Sequence, residues 1–486
     1  MYLTTIPQIT RLRLCLLALF LGLVGCAELP NDLPTRPALK APHTAATISA
    51  LGDPLPRPET PTPQTGHWWQ AFHLAALDAL IEKALADHPD LVAATARLHR
   101  AEQAERLAHL QAGVGYSTDA SINTQHLSKF GLLPPPIGGR SFNQTDITQN
   151  ISYNLDWWGK QAALIHAAHD EQQAARFEAA AVQLTIAATV ADTYFAWADV
   201  GARLTKARLL QQQHRAEVEL RKTRRDLGLD SVQSLHEARA RLAMDDDRLY
   251  GLEYQERALR YRMGAALGTD PDATATLPLP TLNAALPPLP TDLPVGWLAK
   301  RPDIAALQQR VAAAAEKSAA THADFFPNLD LRLMVGLETL NLENLLRAGA
   351  ISTSLGPSLH LPYFNTNTLR AALNAREAEY AARVAEYNRA ILEAARQVVD
   401  AYAFVKSLAE REQAERQALA ELQQARALVR QRAKLGLTSL LETLEKDNSV
   451  LNQELTTIET EAANLRARVA LFLALGGDTA PETTPP

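Results

Sequence analysis

Three consecutive carboxylates, Asp245-Asp246-Asp247, are the densest set of potential metal ligands in the sequence. They fall in a stretch of helical character. Successive helix residues point in different directions, so the three cannot share one ion. They read instead as a solvated helix face. The 13 histidines are scattered, and His166 and His169, three apart, lack any further ligand motif. The sequence holds no His-Glu-x-x-His, no Walker loop, no dinucleotide fingerprint and no nucleophile elbow. No metal, cofactor or enzyme constellation is therefore expected. Trp68-Trp69 and Trp157-Trp158 read as packing or interface anchors.

One residue has a clear covalent chemistry. Arg11 and Arg13 precede an apolar run from Leu14 to Val24, about the length of a signal-peptide core and too short to span a bilayer. The run ends in Leu23-Val24-Gly25-Cys26, which resembles a bacterial lipobox. That motif implies cleavage before Cys26 and a covalent lipid on its sulfur; the alternative is a plain secretory signal with an incidental Cys. Ala27, rather than Asp, favours export to the outer membrane. Of the 2 cysteines, Cys15 would leave with the signal, so no intrachain disulfide is expected.

The chain has 486 residues, 47% of them hydrophobic and 21% charged. This excludes a wholly disordered chain and a polytopic helical membrane protein. The net charge of −6 leaves no footprint for nucleic acid. Ala, Leu, Gln, Glu and Arg dominate long stretches, the composition of helices packed side by side. Nine prolines within residues 30–63 mark an extended tether or surface-hugging arm, and a second Pro-rich stretch runs from Pro271 to Pro294.

Two halves of the chain look alike. His88-Pro89-Asp90-Leu91 matches Arg301-Pro302-Asp303-Ile304. Asn154-Leu155-Asp156-Trp157-Trp158 matches His360-Leu361-Pro362-Tyr363-Phe364. Arg224-Arg225-Asp226-Leu227-Gly228-Leu229 matches Arg432-Ala433-Lys434-Leu435-Gly436-Leu437. The separations are 213, 206 and 208 residues. Such constant order and offset argue for a duplicated unit, with an insertion near Leu132-Leu133-Pro134-Pro135-Pro136.

Each half predicts one very long helix, Lys160 to Leu227 and Thr366 to Leu435, together containing a single Gly and no Pro. At 1.5 Å per residue each would run roughly 100 Å, too long for a compact core, so they read as coiled-coil-like rods. The rods end at Gly228 and Gly436. A second helix then returns, to about Leu267 and Leu475. Each half also predicts two strands. Val114, Tyr116, Thr118, Ala120 and Ile122 alternate with mostly polar residues, as do Ile147, Ile151, Tyr153, Leu155 and Trp157. In the second half Leu329, Leu331, Leu333 and Val335 alternate, as do Leu355, Leu359, Leu361 and Tyr363. Each stretch is about ten residues, the length of a tilted transmembrane strand. The polar face reads as uncharged or acidic along its length. A soluble antiparallel sheet is the alternative.

Membrane strands impose a condition. A lipid-exposed sheet edge is forbidden, and four strands cannot close a barrel with an interior. Strands of this kind require several chains to complete one barrel.

With these features the sequence resembles the outer-membrane factors of Gram-negative efflux systems, of the TolC/OprM kind, closest to their lipoprotein, NodT-like branch. The resemblance covers Cys26 to about Gly477. It rests on the lipobox, the duplicated half, the Pro-Asp-Leu/Ile helix starts and Phe325-Phe326-Pro327-Asn328-Leu329. It rests also on Gly356-Pro357-Ser358-Leu359-His360-Leu361-Pro362 and on Arg-x-x-x-Gly-Leu at both rod ends. It implies an α+β membrane protein built as a trimeric 12-stranded β-barrel, four strands per chain, continued by an α-helical coiled-coil periplasmic tunnel. It implies a lipid-anchored homotrimer in the outer membrane that acts as a passive exit duct for small molecules. Its partners would be a periplasmic membrane-fusion adaptor and an inner-membrane pump of the RND or aromatic-acid exporter type.

The resemblance also assigns residues. Arg224, Gly228, Arg432 and Gly436 match the tip motif that meets the adaptor; the plainer reading is a C-cap with cations complementing the helix dipole. Leu441 and Glu445, four apart and so on one helix face, match an apolar ring and a carboxylate ring closing the periplasmic end. Here the family's usual Asp is Glu445, and its usual Ala-Gln is Lys446-Asp447. The plainer reading is a coiled-coil apolar position beside a solvated acid.

The expected division is a lipoprotein signal at 1–25, anchor and Pro-rich arm at 26–72, and a first repeat at 73–270. That repeat holds strands near 113–125 and 145–157 and a tip at Gly228. An equatorial linker follows at 271–300. The second repeat, 301–475, holds strands near 328–337 and 353–363 and a tip at Gly436, with a tail at 476–486. Two other functions use the same features: a type I protein-secretion duct, or a structural periplasmic coiled-coil lipoprotein.

Overall fold

The computed structural model describes residues 36–39, 67–132, 135–287, 298, 301–362 and 365–477. Cys26, the signal, most of the Pro-rich arm, residues 288–297 and the tail from residue 478 lie outside them. The chain divides into two units. One comprises residues 1–39, 98–175 and 307–387; the other comprises 40–97, 176–306 and 388–486.

The first unit carries the sheet. Strands β1 (Gly115–His126), β2 (Ser141–Leu155), β3 (Asn328–Thr339) and β4 (Ile351–His360) pair antiparallel in the order β1-β2-β3-β4. β2 begins at Ser141, earlier than its alternation suggests, because Phe142 and Asn143 pair with Gln125 and Thr124. Register puts the apolar residues in rows across all four strands. Tyr116 lies opposite Ile151, Ile151 opposite Leu333, and Leu333 opposite Leu355. Ala120, Ile147, Leu337 and Ile351 form a second row. Both strands at the ends of the order leave one ladder unpaired. Pro357, which cannot donate to a ladder, sits in the edge strand β4, where it is tolerated.

The opposite face is polar and cross-linked. Asn150 Nδ2 donates to Asp119 Oδ2 at 2.9 Å, Gln144 Nε2 to Glu338 Oε1 at 3.0 Å, and Asn154 Nδ2 to Asp330 Oδ1 at 2.9 Å. One expectation is corrected here. This face is not uniformly uncharged or acidic: it includes Arg332, 3.4 Å from Asp330, and Met334 adds an apolar residue to it. The acidic neighbour compensates the cation. Trp158 stacks on Phe326, ring centroids 4.4 Å apart, and donates to the Pro327 carbonyl at 2.9 Å.

The long helices are continuous. Helix α1 is Ala75–Asp87, α2 is Pro89–Ala112, and α3 is Lys160–Asp226 with 67 residues. α4 is Val232–Ala266 and α5 is Pro302–Ala323. α6 is Thr366–Lys434 with 69 residues, and α7 is Leu440–Ala474. Proline opens α2 and α5 at a position where its missing N–H costs nothing. Asp156 starts α3 by accepting from the Gln161 and Ala162 N–H groups at 3.0 and 2.9 Å.

In the second unit α3 packs on α4 through Val200, Leu204, Leu249 and Leu252, and α6 on α7 through Val405, Leu408 and Leu471. Ion pairs join α3 to α7: Lys206 to Glu454 at 2.7 Å and Asp192 to Arg466 at 2.7 Å. The largest core gathers around the 3-10 turn Trp68–Phe72, where Trp68 stacks on Phe472 and Phe72 meets Phe195. Trp68 and Trp69 are thus packing residues.

Asp245 also departs from the sequence reading. It is not part of a solvated face: it is 5% exposed and bonded to His214 of α3, itself buried. Asp246 accepts from Gln211 at 2.5 Å, and only Asp247 is exposed. The α3–α4 seam takes up the first two carboxylates.

Candidate functional site: the hairpin tips and the gate positions

Both rods end in the same hydrogen-bonded turn. At the first tip Gly228 has φ +74, its N–H meets the Arg225 carbonyl at 2.8 Å, and the Leu229 N–H meets the Arg224 carbonyl at 2.8 Å. At the second, Gly436 has φ +70, its N–H meets the Ala433 carbonyl at 3.0 Å, and the Leu437 N–H meets that of Arg432 at 2.9 Å. This is a Schellman closure, in which a left-handed residue lets the last carbonyls find donors. Ser231 and Ser439 then cap α4 and α7, accepting from the Ser234 and Glu442 N–H groups at 3.1 and 3.2 Å.

The two tips differ in charge. Arg224 turns back on its own loop, donating to the Leu229 carbonyl at 3.2 Å and lying 3.5 Å from Asp230. The Asp230 carboxyl also accepts from the Ser234 hydroxyl at 2.6 Å. That bond, the Ser231 N–H and the guanidiniums of Arg221 and Arg224 hold it below the usual carboxylate range. At the matching place in the second tip stands Thr438, whose hydroxyl donates to Glu442. Among the described residues no acid is paired with Arg432, which is exposed.

Behind the first tip, Glu217 is 2% exposed. Arg221 and Arg241 each donate to its Oε1 at 2.7 Å. Burial works against its charge, but the two guanidiniums outweigh burial and keep the carboxyl below its ordinary value. Arg221 reaches further, to within 3.7 Å of Glu445 Oε1 on α7. Leu441 is half-buried one turn before Glu445, and Glu445 is exposed. Asp447, where this sequence departs from the family pattern, is turned into its own hairpin and takes two bonds from Arg430, at 2.8 and 2.9 Å.

The structure therefore brings Arg221, Asp230 and Glu217 to the first tip beside Arg224 and Gly228, and sets Arg221 against Glu445. Sequence reading did not single out the first three. A signal existed: just after the glycines the aligned tips read Leu229-Asp230-Ser231 and Leu437-Thr438-Ser439, so Asp230 adds an acid that the second repeat lacks at that place. Among the described residues no group of three His, Cys, Asp or Glu is arranged to hold a metal ion.

A four-stranded sheet with one apolar and one polar face, joined in one chain to helices of 67 and 69 residues, defines a class: outer-membrane channels with long helical hairpins. The chain belongs to the outer membrane efflux protein family, whose pattern it matches over residues 80–269 and 293–477. It is 27% identical over 486 residues to the pyoverdine export outer membrane protein OpmQ of Pseudomonas putida, covering 97% of this chain and 98% of the relative. It is 29% identical to the toluene efflux pump outer membrane protein TtgF of Pseudomonas putida, covering 95% and 96%. Among solved structures, the outer membrane protein VceC of Vibrio cholerae superposes with a TM-score of 0.76 at 29% identity, over 84% of this chain and 98% of VceC.

The fold class is accordingly that of an α+β membrane protein giving four strands per chain to a trimeric 12-stranded β-barrel, its helical part built from two internal repeats. The protein is an efflux channel of the outer membrane.

Proposed function

We propose that this channel is the exit duct of a tripartite system that exports small molecules, taking them from an inner-membrane pump through a periplasmic adaptor. The observation that supports this best is the open sheet. Its exposed apolar rows need lipid, and its unpaired edges need further strands. The relatives, named for pyoverdine export, toluene efflux and multidrug resistance, support that class of cargo. The pump and adaptor would be of the RND or aromatic-acid exporter kind.

Within this reading the chain comprises a signal at 1–25, a lipid-bearing arm at 26–72, repeats at 73–270 and 301–475 joined by 271–300, and a tail at 476–486. Cys26 carries a covalent lipid. Arg224, Gly228, Arg432 and Gly436 form the surface that meets the adaptor, with exposed Arg432 the freer cation of the two. Leu441 and Glu445 of three chains form the rings at the periplasmic end: the leucines exclude water, and the carboxylates, which repel one another and attract cations, are held by Arg221. No step of this transport needs an enzyme or a cofactor.

Native mass spectrometry of the full-length protein, extracted from outer membranes in mild detergent, tests this reading. The expected species is a homotrimer with acylated Cys26. A soluble or unlipidated monomer overturns it.

A further inference from the structure

Arg36 is held by helix residues distant in sequence. Its Nε donates to Glu377 Oε2 at 3.1 Å and its Nη2 to Glu377 Oε1 at 2.7 Å. Nη2 also reaches Ser318 Oγ at 3.3 Å, and the guanidinium lies over the Tyr380 ring, 5.2 Å from its centroid. Ser318 belongs to α5, Glu377 and Tyr380 to α6. Glu377 is 5% exposed and Ser318 1%. The Ser318 hydroxyl donates to Glu377 at 2.5 Å.

This geometry is that of a socket for the arm. A buried carboxylate needs a paired cation, and one neutral hydroxyl does not compensate it. In this structure the arm supplies the cation. The planar guanidinium fits both carboxylate oxygens at once and stacks on an aromatic ring, which a lysine ammonium cannot do. The bond from Arg36 also holds the Glu377 carboxyl below its ordinary value, so the pair stays ionised at neutral pH.

We propose that Glu377, Ser318 and Tyr380 form a docking site for the chain's own N-terminal arm, with Arg36 as its key, and that this clasp fixes where the lipid anchor enters the membrane. The inference rests on the lipidation of Cys26 proposed above. Arg36 lies ten positions after Cys26, with prolines at 30 and 34. Whatever its conformation, a chain spans at most about 3.6 Å per residue, so the acyl group must enter the bilayer within about 36 Å of the clasp. Glu377 stands eleven residues into α6, about 16 Å along that helix from the end nearer β4. The bilayer edge of the strands is thus within reach. Without the clasp the same bound is set by His67, the next described residue and 41 positions after Cys26, and grows to roughly 150 Å.

Distance measurement by pulsed electron paramagnetic resonance tests the clasp. Spin labels go on Leu39→Cys and Ala378→Cys of the full-length protein, in outer-membrane trimers diluted with unlabelled chain. The expected result is one narrow intrachain distance. Arg36→Ala broadens it, and the charge-reversed pair Arg36→Glu with Glu377→Arg restores it. The acylated trimer recovered from the membrane falls by about tenfold in Arg36→Ala and returns in the reversed pair. A broad distribution in the parent, or a narrow one that survives Arg36→Ala, overturns the proposal. The same labels in a Cys26→Ser chain separate the two readings. The clasp predicts an unchanged narrow distance there, while mass spectrometry of the parent reports independently whether Cys26 is acylated.

Discussion

Arg221 on α3 and Glu445 on α7 stand 3.7 Å apart, so the first helical hairpin holds the acid that projects from the second. The same guanidinium is anchored at 2.7 Å to Glu217, buried beneath it. Arg221 thus ties a residue proposed to gate the duct to the interior of the neighbouring hairpin.

Breaking that tie changes conductance. Arg221→Ala frees Glu445 and is expected to raise the open fraction of trimers in planar bilayers. Leu441→Ala should act in the same direction by removing an apolar obstruction. Glu445→Gln removes the charge from the ring and should lower cation selectivity. Single-channel currents that match the parent in all three variants would remove these residues from the gate.

The tip glycines are required by backbone conformation alone. A Cβ at Gly228 or Gly436 would meet nothing within 4 Å, yet φ is +74 and +70. Gly228→Ala and Gly436→Ala should each cost about 1 kcal/mol, from left-handed strain rather than collision. Asn, which tolerates this region, should cost less. Thermal unfolding of the two substitutions at each tip checks the order.

The three adjacent aspartates are expected to behave differently. Asp245→Ala leaves buried His214 without its partner and should destabilise by about 3 kcal/mol. Asp247→Ala should change stability by less than about 0.5 kcal/mol. Denaturant melts of the two variants give the contrast.

Acid should loosen the first tip. The Glu217 carboxyl lies below its ordinary 4.5 in the folded chain, with burial opposing and Arg221 and Arg241 prevailing. A carboxyl depressed on folding contributes stability that is present above its unfolded value and is lost as pH falls through the folded one. Amide exchange near residues 214–241 should therefore accelerate below about pH 4.5. Glu217→Gln should flatten that dependence while weakening the tip at neutral pH.

Much of the fold was legible in the sequence because its signals are local. A run free of proline, spaced three and four apart in apolar residues and closed by Gly228 or Gly436, specifies a rod and its end. Alternation through Tyr116, Ile151, Leu333 and Leu355 specifies strands with one apolar face. The duplicated landmarks pointed to the family, and the family to the trimeric class.

Residues whose partners are remote were not legible. Asp245 carries the same local signal as Asp247, and only the seam with α3 buries one and exposes the other. Asp230 and Thr438 occupy equivalent places, and only the folded turns make Arg224 a satisfied cation and Arg432 an exposed one. Arg36 looks like any charged residue of a Pro-rich arm until α5 and α6 present Ser318 and Glu377 to it. The periodic elements and their ends are written locally along the chain, since propensity and spacing act over a few residues. Which charges are paired depends on the folded molecule, because desolvation and ion pairing involve groups brought together from distant parts of the chain.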